Sequence, residues 1–112
     1  MKIAIPVAQG QLCQHFGHCE QFAIIDVAEG SKEISKEELM TPPPHEPGLL
    51  PKWLSELGVT CVIAGGMGGR AIGLFQQNNI QVVTGASPAE PKQIVTEFLK
   101  DTLVTGNNSC DH

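Results

Sequence analysis

Apolar residues along the chain alternate between short β-branched runs and spaced, helix-like sets. "KIAIPVA" (2–8) predicts a buried strand that opens the fold, and "QFAIIDV" (21–27) predicts a second. After the turn "EGSK", the segment "EISKEELM" (33–40) carries charges on both faces. Such charges suit an exposed edge strand, because Lys and Glu there discourage further pairing, although propensity alone would also allow a helix. Three consecutive prolines make "TPPPHEPG" (41–48) a rigid loop. Leu50, Trp53, Leu54 and Leu57 then fall at helical spacing, with Pro51 in the first turn and Gly58 as the natural stop. "VTCVIAGG" (59–66) predicts a central buried strand. A short helix follows through Ala71, Leu74 and Phe75, closed by Asn78-Asn79, and "IQVVTG" (80–85) predicts another strand. Ser87 and Glu90 have the spacing of a capping box before a helix that carries Ile94, Val95, Phe98 and Leu99 on one face. Pro91 opposes that start, since the residue before a proline is pushed away from helix.

The resulting order is β-β-β-α-β-α-β-α. It predicts an α/β protein with one mixed five-stranded sheet and flanking helices, a single domain over residues 1–103 and a flexible Cys/His tail over 104–112. The second half alternates strand and helix, which implies parallel strands. If the first three strands form a meander, the first and third point the same way, and the later two join them. The loops over 8–20, 41–48, 65–69 and 85–87 then share one sheet edge, where open α/β sheets bind ligands. The tail leaves from the opposite end. From Asp101, an extended chain reaches about 40 Å at roughly 3.3–3.6 Å per residue, enough to return to that edge.

The 112 residues suffice for a core without disulfides. A net charge of −5 and the absence of any basic run argue against nucleic-acid binding and against an anionic membrane surface. No apolar stretch is long enough for a membrane span or a signal-peptide core, which suggests a cytoplasmic protein. Cysteines in that compartment stay reduced and tend to be ligands or redox groups rather than staples.

The candidate chemistry is concentrated in "CQHFGHC" (13–19), which places Cys13, His15, His18 and Cys19 in one loop. The tail repeats a Cys-x-His spacing at Cys110 and His112. Thiolate with imidazole suits zinc, copper or iron in sulfide clusters. The same residues also fit an exposed loop with a non-specific metal-binding tail, and spacing alone leaves both open. Cys61, inside an apolar strand, reads as a small core residue. His45 lies in the proline loop and belongs to the shared edge by topology. "GGMGG" (Gly65, Gly66, Met67, Gly68, Gly69) joins a buried strand to a helix, with Arg70 at the helix start. Glycines there are either turn residues or let backbone N–H groups approach an anion. The dinucleotide fingerprint is incomplete, since no acidic residue ends the next strand, and no Lys-Ser/Thr follows to make a P-loop. Asp26 is the one carboxylate expected inside the first two strands, so a catalytic set is not evident and the chain reads as a non-enzyme.

Taken together, "MKIAIPV", "HFGHCEQFAIIDV", "PPPHEPGLLPKWLSELGV", "VIAGGMGGRA" and the Cys/His tail resemble the dinitrogenase iron–molybdenum cofactor biosynthesis family over Met1 to about Leu103. His15-Phe16-Gly17 and Gly65-Gly66-Met67-Gly68 are the most specific pieces. The resemblance implies a ribonuclease-H-like mixed sheet without nuclease carboxylates. It also implies binding of an iron–sulfur or molybdenum-containing cluster, or its precursor, among cofactor-assembly proteins. His15 would be a cluster contact, the Gly65–Gly69 loop a cradle, and His45 a weaker contact. No Cys-x-x-x-Cys-x-x-Cys segment is present, so the expected role is carriage rather than cluster building. A zinc- or copper-binding, redox-responsive module without sulfide is the alternative.

Overall fold

Period-two alternation sets the layers of the protein. The computed structural model describes residues 1–13, 20–28, 30, 33–42, 48–100 and 103. Its elements are β1 (Lys2–Ala8), β2 (Gln11–Leu12), β3 (Gln21–Val27), β4 (Ile34–Met40), α1 (Leu49–Glu56), β5 (Cys61–Ile63), α2 (Gly69–Gln77), β6 (Gln81–Val83) and α3 (Pro91–Leu99). Ile3, Ile5, Val7, Ala23, Ile25, Cys61 and Ile63 point to one face and pack with Ile94 and Val95 of α3. Their neighbours Ala4, Phe22, Ile24, Val62 and Ala64 point to the other face and pack with Leu50 and Leu54 of α1 and Phe75 of α2. Strands buried on both faces read as unbroken apolar runs, which is why β1, β3 and β5 are so poor in polar residues.

The expected mixed α/β sheet is present, with strand order β4-β3-β1-β5-β6. β1 is antiparallel to β3, β3 to β4, and β5 and β6 run parallel to β1. β4 is the exposed edge strand that its charges predict. The sheet has six strands rather than five, because the two-residue β2 also pairs with β1. The turn that makes this possible has two central residues, Gln9 (φ 55°) and Gly10 (φ 82°), both left-handed, as a tight hairpin requires. β5 pairs with β1 only at Ile3 and Ala4, and β2 takes over the same side of β1 at Val7 and Ala8. Pro6, which has no N–H to donate, sits where the ladder changes partner.

Several boundaries differ from the sequence reading. β5 and β6 are three-residue strands, shorter than their apolar runs. The expected capping box before α3 does not form. Glu90 is itself the N-cap, extended at φ −66° and ψ 140°, with no side-chain cap hydrogen bond and Pro91 in the first turn. The proline fixes that geometry, as its N1 preference dictates, and leaves Ser87 too far back to cap. α1 ends as expected at Gly58, whose φ of 90° suits glycine and whose N–H donates to the Ser55 carbonyl. Among the described residues, no helix is long and apolar enough to cross a membrane.

Cys61 is a core residue, 1 % exposed, between Ile3 and Gln81 in the sheet. Burial pushes its thiol up from 9.0 to about 11. Below pH 9 the thiol is protonated in both the folded and the unfolded chain. Between pH 9 and 11 the unfolded chain loses this proton first, so the native state binds more protons and stability falls as pH rises. Cys61→Ala is therefore expected to flatten the fall in the urea midpoint between pH 8 and pH 10.5, measured against the unsubstituted protein. An unchanged slope would mean that Cys61 does not stay protonated in the fold.

Candidate functional site

β1, β4, β5 and β6 run in one direction, so the chain leaves all four at the same edge of the sheet. At this edge the loop after β5 and the loop after β6 are bonded to each other. The N–H of Ala64 donates to the Val83 carbonyl (2.8 Å), that of Gly85 to the Gly65 carbonyl (2.8 Å) and that of Ala86 to the Ala64 carbonyl (3.3 Å). Gly85 has a φ of 85°, a left-handed geometry that favours glycine. The β2 hairpin joins them, with the Leu12 N–H donating to the Ala89 carbonyl at 3.0 Å.

The base of the "CQHFGHC" loop is fixed at the same place. The Cys13 N–H donates to the Pro6 carbonyl (2.8 Å) and the Glu20 N–H to the Val7 carbonyl (2.9 Å). The Glu20 carboxylate in turn accepts the Gln9 N–H at 3.0 Å, which braces the left-handed turn. Both ends of the segment that carries the predicted ligands are thus tied to adjacent residues of β1. Cys13 itself is half-buried. His15, His18, Cys19, His45, Cys110 and His112 lie outside the described residues. Among the described residues, no three His, Cys, Asp or Glu side chains group closely enough to hold a metal ion.

The glycine loop is the best-defined part of the edge. Gly65, Gly66 and Met67 are buried, and the Met67 side chain is fully enclosed in the core shared with α1 and α2. Met67 therefore anchors the loop, and any direct part it takes in binding is through its backbone. None of Gly65, Gly66, Gly68 and Gly69 has a positive φ, so a turn does not demand them. A Cβ built on Gly68 or Gly69 meets no atom within 4 Å, so internal packing does not demand glycine there either. α2 begins at Gly69 with no side-chain cap and no acidic residue in its first turn. Its first N–H groups lie at the positive end of the helix dipole. Arg70 is exposed and has no ion-pair partner among the described residues.

Asp26 belongs to the opposite end of the sheet. It lies 3.7 Å from the Lys2 ammonium, which also donates to the Leu57 carbonyl at 2.9 Å. It is part of a structural clasp, remote from the glycine loop. The sequence reading omitted β2 and the Leu12–Ala89 link, which is what draws the loop after β6 toward Cys13. The one available signal was the glycine at position 10, two residues into a turn between apolar positions.

The fold and edge have close counterparts. The family model for the dinitrogenase iron–molybdenum cofactor matches residues 1–101. An uncharacterized protein of Methanocaldococcus jannaschii is 33% identical over 108 residues, covering 92% of this chain and 89% of its own. The crystal structure of PH0822 superposes with a TM-score of 0.83 at 30% identity, covering 95% of this chain and 96% of that one. The apo form of the orange protein from Desulfovibrio gigas has the same fold, with a TM-score of 0.71 at 20% identity over 96% of this chain and 93% of its own. With a matched model across nine-tenths of its length and this fold beneath it, the chain belongs to the dinitrogenase iron–molybdenum cofactor family.

Proposed function

We propose that the protein is a carrier for a metal–sulfur cluster, iron–sulfur or molybdenum-containing, which it holds and hands on during cofactor assembly in the cytoplasm. Membership of the family supports a cofactor-related role. The observation that carries the reading is the pair Gly68 and Gly69, glycines that neither backbone angle nor internal packing requires. A ligand approaching the backbone closely gives a reason for them. Sulfide clusters are anionic, and the uncapped start of α2 with Arg70 beside it offers N–H donors and one positive charge.

In this reading, Gly65, Gly66, Met67, Gly68 and Gly69 form the cradle through their backbone. Arg70 balances charge, and His45 approaches from the loop after β4. His15 is the leading metal ligand, with Cys13, His18 and Cys19 of the same loop as further donors and Cys110 and His112 as donors from the tail. Thiolate and imidazole are soft enough for iron, molybdenum or copper in sulfide clusters. The chain would bind and release its cargo without turnover, and its partners would be the proteins that supply and receive the cluster.

Metal and acid-labile sulfide content, measured with a visible spectrum on protein purified without oxygen, tests this directly. Stoichiometric sulfide with iron or molybdenum is expected, if necessary after loading with pre-formed cluster. Zinc or copper without sulfide, together with failure to take up cluster, would establish a plain metal-ion module instead. His15→Ala is expected to lower cluster retention at least ten-fold while Cys61→Ala retains it, and equal retention by the two would overturn the ligand assignment.

Gly69 offers a sharper test, because stability and binding should move in opposite directions. Gly69→Ala meets open space at the first helical position, so it is expected to stabilise the fold by roughly 0.4–1 kcal/mol. The added methyl enters the cradle, so cluster affinity should fall about ten-fold. A stabilised variant that binds cluster as well as the parent would remove the cradle from the model of binding.

A further inference from the structure

The two outer strands of the sheet are guarded unequally. β4 presents Ser35, Lys36, Glu37 and Glu38, all exposed, and its register to β3 shifts beside Asp26 and Val27. Charges and an irregular register on an outer strand deter pairing with a foreign strand. β6 is the outer strand on the other side and has neither guard. It reads Gln81-Val82-Val83 and pairs with β5 in unbroken register. It lies within residues 71–89, a nineteen-residue run without Asp, Glu, Lys or Arg in a chain that is 17% charged. The exposed side chains of this run, among them Gln76, Asn79 and Gln81, are therefore all neutral. Ile72 and Val82, which pack on the α1 and α2 face, and Val83, which packs on the α3 face, are only half-buried.

We propose that β6 pairs with β6 of a second copy of this chain, antiparallel about a two-fold axis at Val82, so that the two sheets become one. The backbone sets that centre. The Gln81 N–H donates to the Thr60 carbonyl at 2.9 Å, and the Val83 carbonyl accepts the Ala64 N–H at 2.8 Å. Gln81 and Val83 thus turn their backbone groups to β5, and Val82 between them turns its own to the open side. Set opposite itself across the axis, Val82 completes a hydrogen-bonded pair in which each copy gives one N–H and one carbonyl. The axis stands perpendicular to the sheet, so like faces adjoin. Val82 then meets its counterpart on the α1 and α2 face, and Val83 meets Gln81 of the second copy on the α3 face. The missing charge favours a second copy over a different protein. Near a two-fold axis a residue faces its own counterpart, so any charge there would meet its like. A different partner could supply the opposite charge and would not demand a neutral strand. Antiparallel pairing sends the loops after β5 and β6 of the two copies to opposite ends of the joined sheet, which leaves both candidate binding edges open.

The pairing does not depend on any cluster and is tested on the full-length, metal-free chain with reductant present, by sedimentation and by amide spectra. A three-residue strand makes a small interface, so the chain is expected to be largely dimeric at about 500 μM and monomeric at about 5 μM. On dilution the amide signals of Gln81, Val82 and Val83 should shift, while those of β4 hold still. Gln81 is exposed and would lie diagonally across the axis from its counterpart, about 7–8 Å away. Gln81→Lys and Gln81→Glu are each expected to weaken the dimer at least ten-fold, and mixing the two variants should restore it. Ser35→Lys makes the same change of charge on the guarded strand and should leave the dimer as it is. A monomer at about 500 μM, an undiminished dimer in folded Gln81→Lys, or dilution shifts confined to β4 would each overturn the proposal. Should the Gln81 variants fail to fold, the dilution shifts of the parent decide by themselves.

Discussion

The candidate binding edge depends on the pairing of β1 on both its sides. β3 runs antiparallel along one side through six register pairs from Lys2 to Val7. On the other side β5 lies parallel at Ile3 and Ala4, and β2 follows at Val7 and Ala8. Antiparallel pairing lets β3 and β4 follow by short connections, while parallel pairing forces the chain back through α1 before β5 can begin. The loops after β1, β4, β5 and β6 consequently emerge together. The pairing holds because β1 buries both faces, with Ile3, Ala4 and Ile5 fully enclosed. Each large side chain so buried contributes roughly 1.5–3 kcal/mol, enough to fix a register that a one-residue slip would invert.

That arrangement divides the work at the edge between backbone and side chains. The glycine loop is held from beneath by Met67 and at its start by the Gly85 N–H, which donates to the Gly65 carbonyl. The loop that carries the proposed soft donors is tied to β1 at Cys13 and Glu20. A carrier must grip and also release. On the proposed reading the cradle for charge and the metal ligands belong to separate segments, so one contact can persist while the other exchanges.

How much of this was legible in the sequence follows from what sets each feature. β1 and β3 were readable because strands buried on both faces must be continuously apolar, and α1 because Leu50, Trp53 and Leu54 repeat at helical spacing between a proline and a glycine. β4 was readable from its charges. The start of α3 stayed open because a side-chain pattern, Ser87 with Glu90, competed with a backbone constraint from Pro91, and the covalent constraint prevailed. β2 was invisible because two residues carry no period. At the site, the sequence names donor types and the topology names the edge, yet neither says which face of the sheet a donor serves. Nor could periodicity show that Met67 turns inward, since the loop around it has none.

The packing of Leu103 was hidden for a related reason. A helix that ends without a capping motif tells nothing of where the chain goes next, and Lys100 ends α3 with only backbone bonds to Phe98 and Thr96. Leu103, half-buried, packs against the core on the α3 face. One helix has to cover a face to which β1, β3 and β5 all contribute, whereas two helices share the other. The uneven layering of helices thus leaves room for Leu103 on the α3 face.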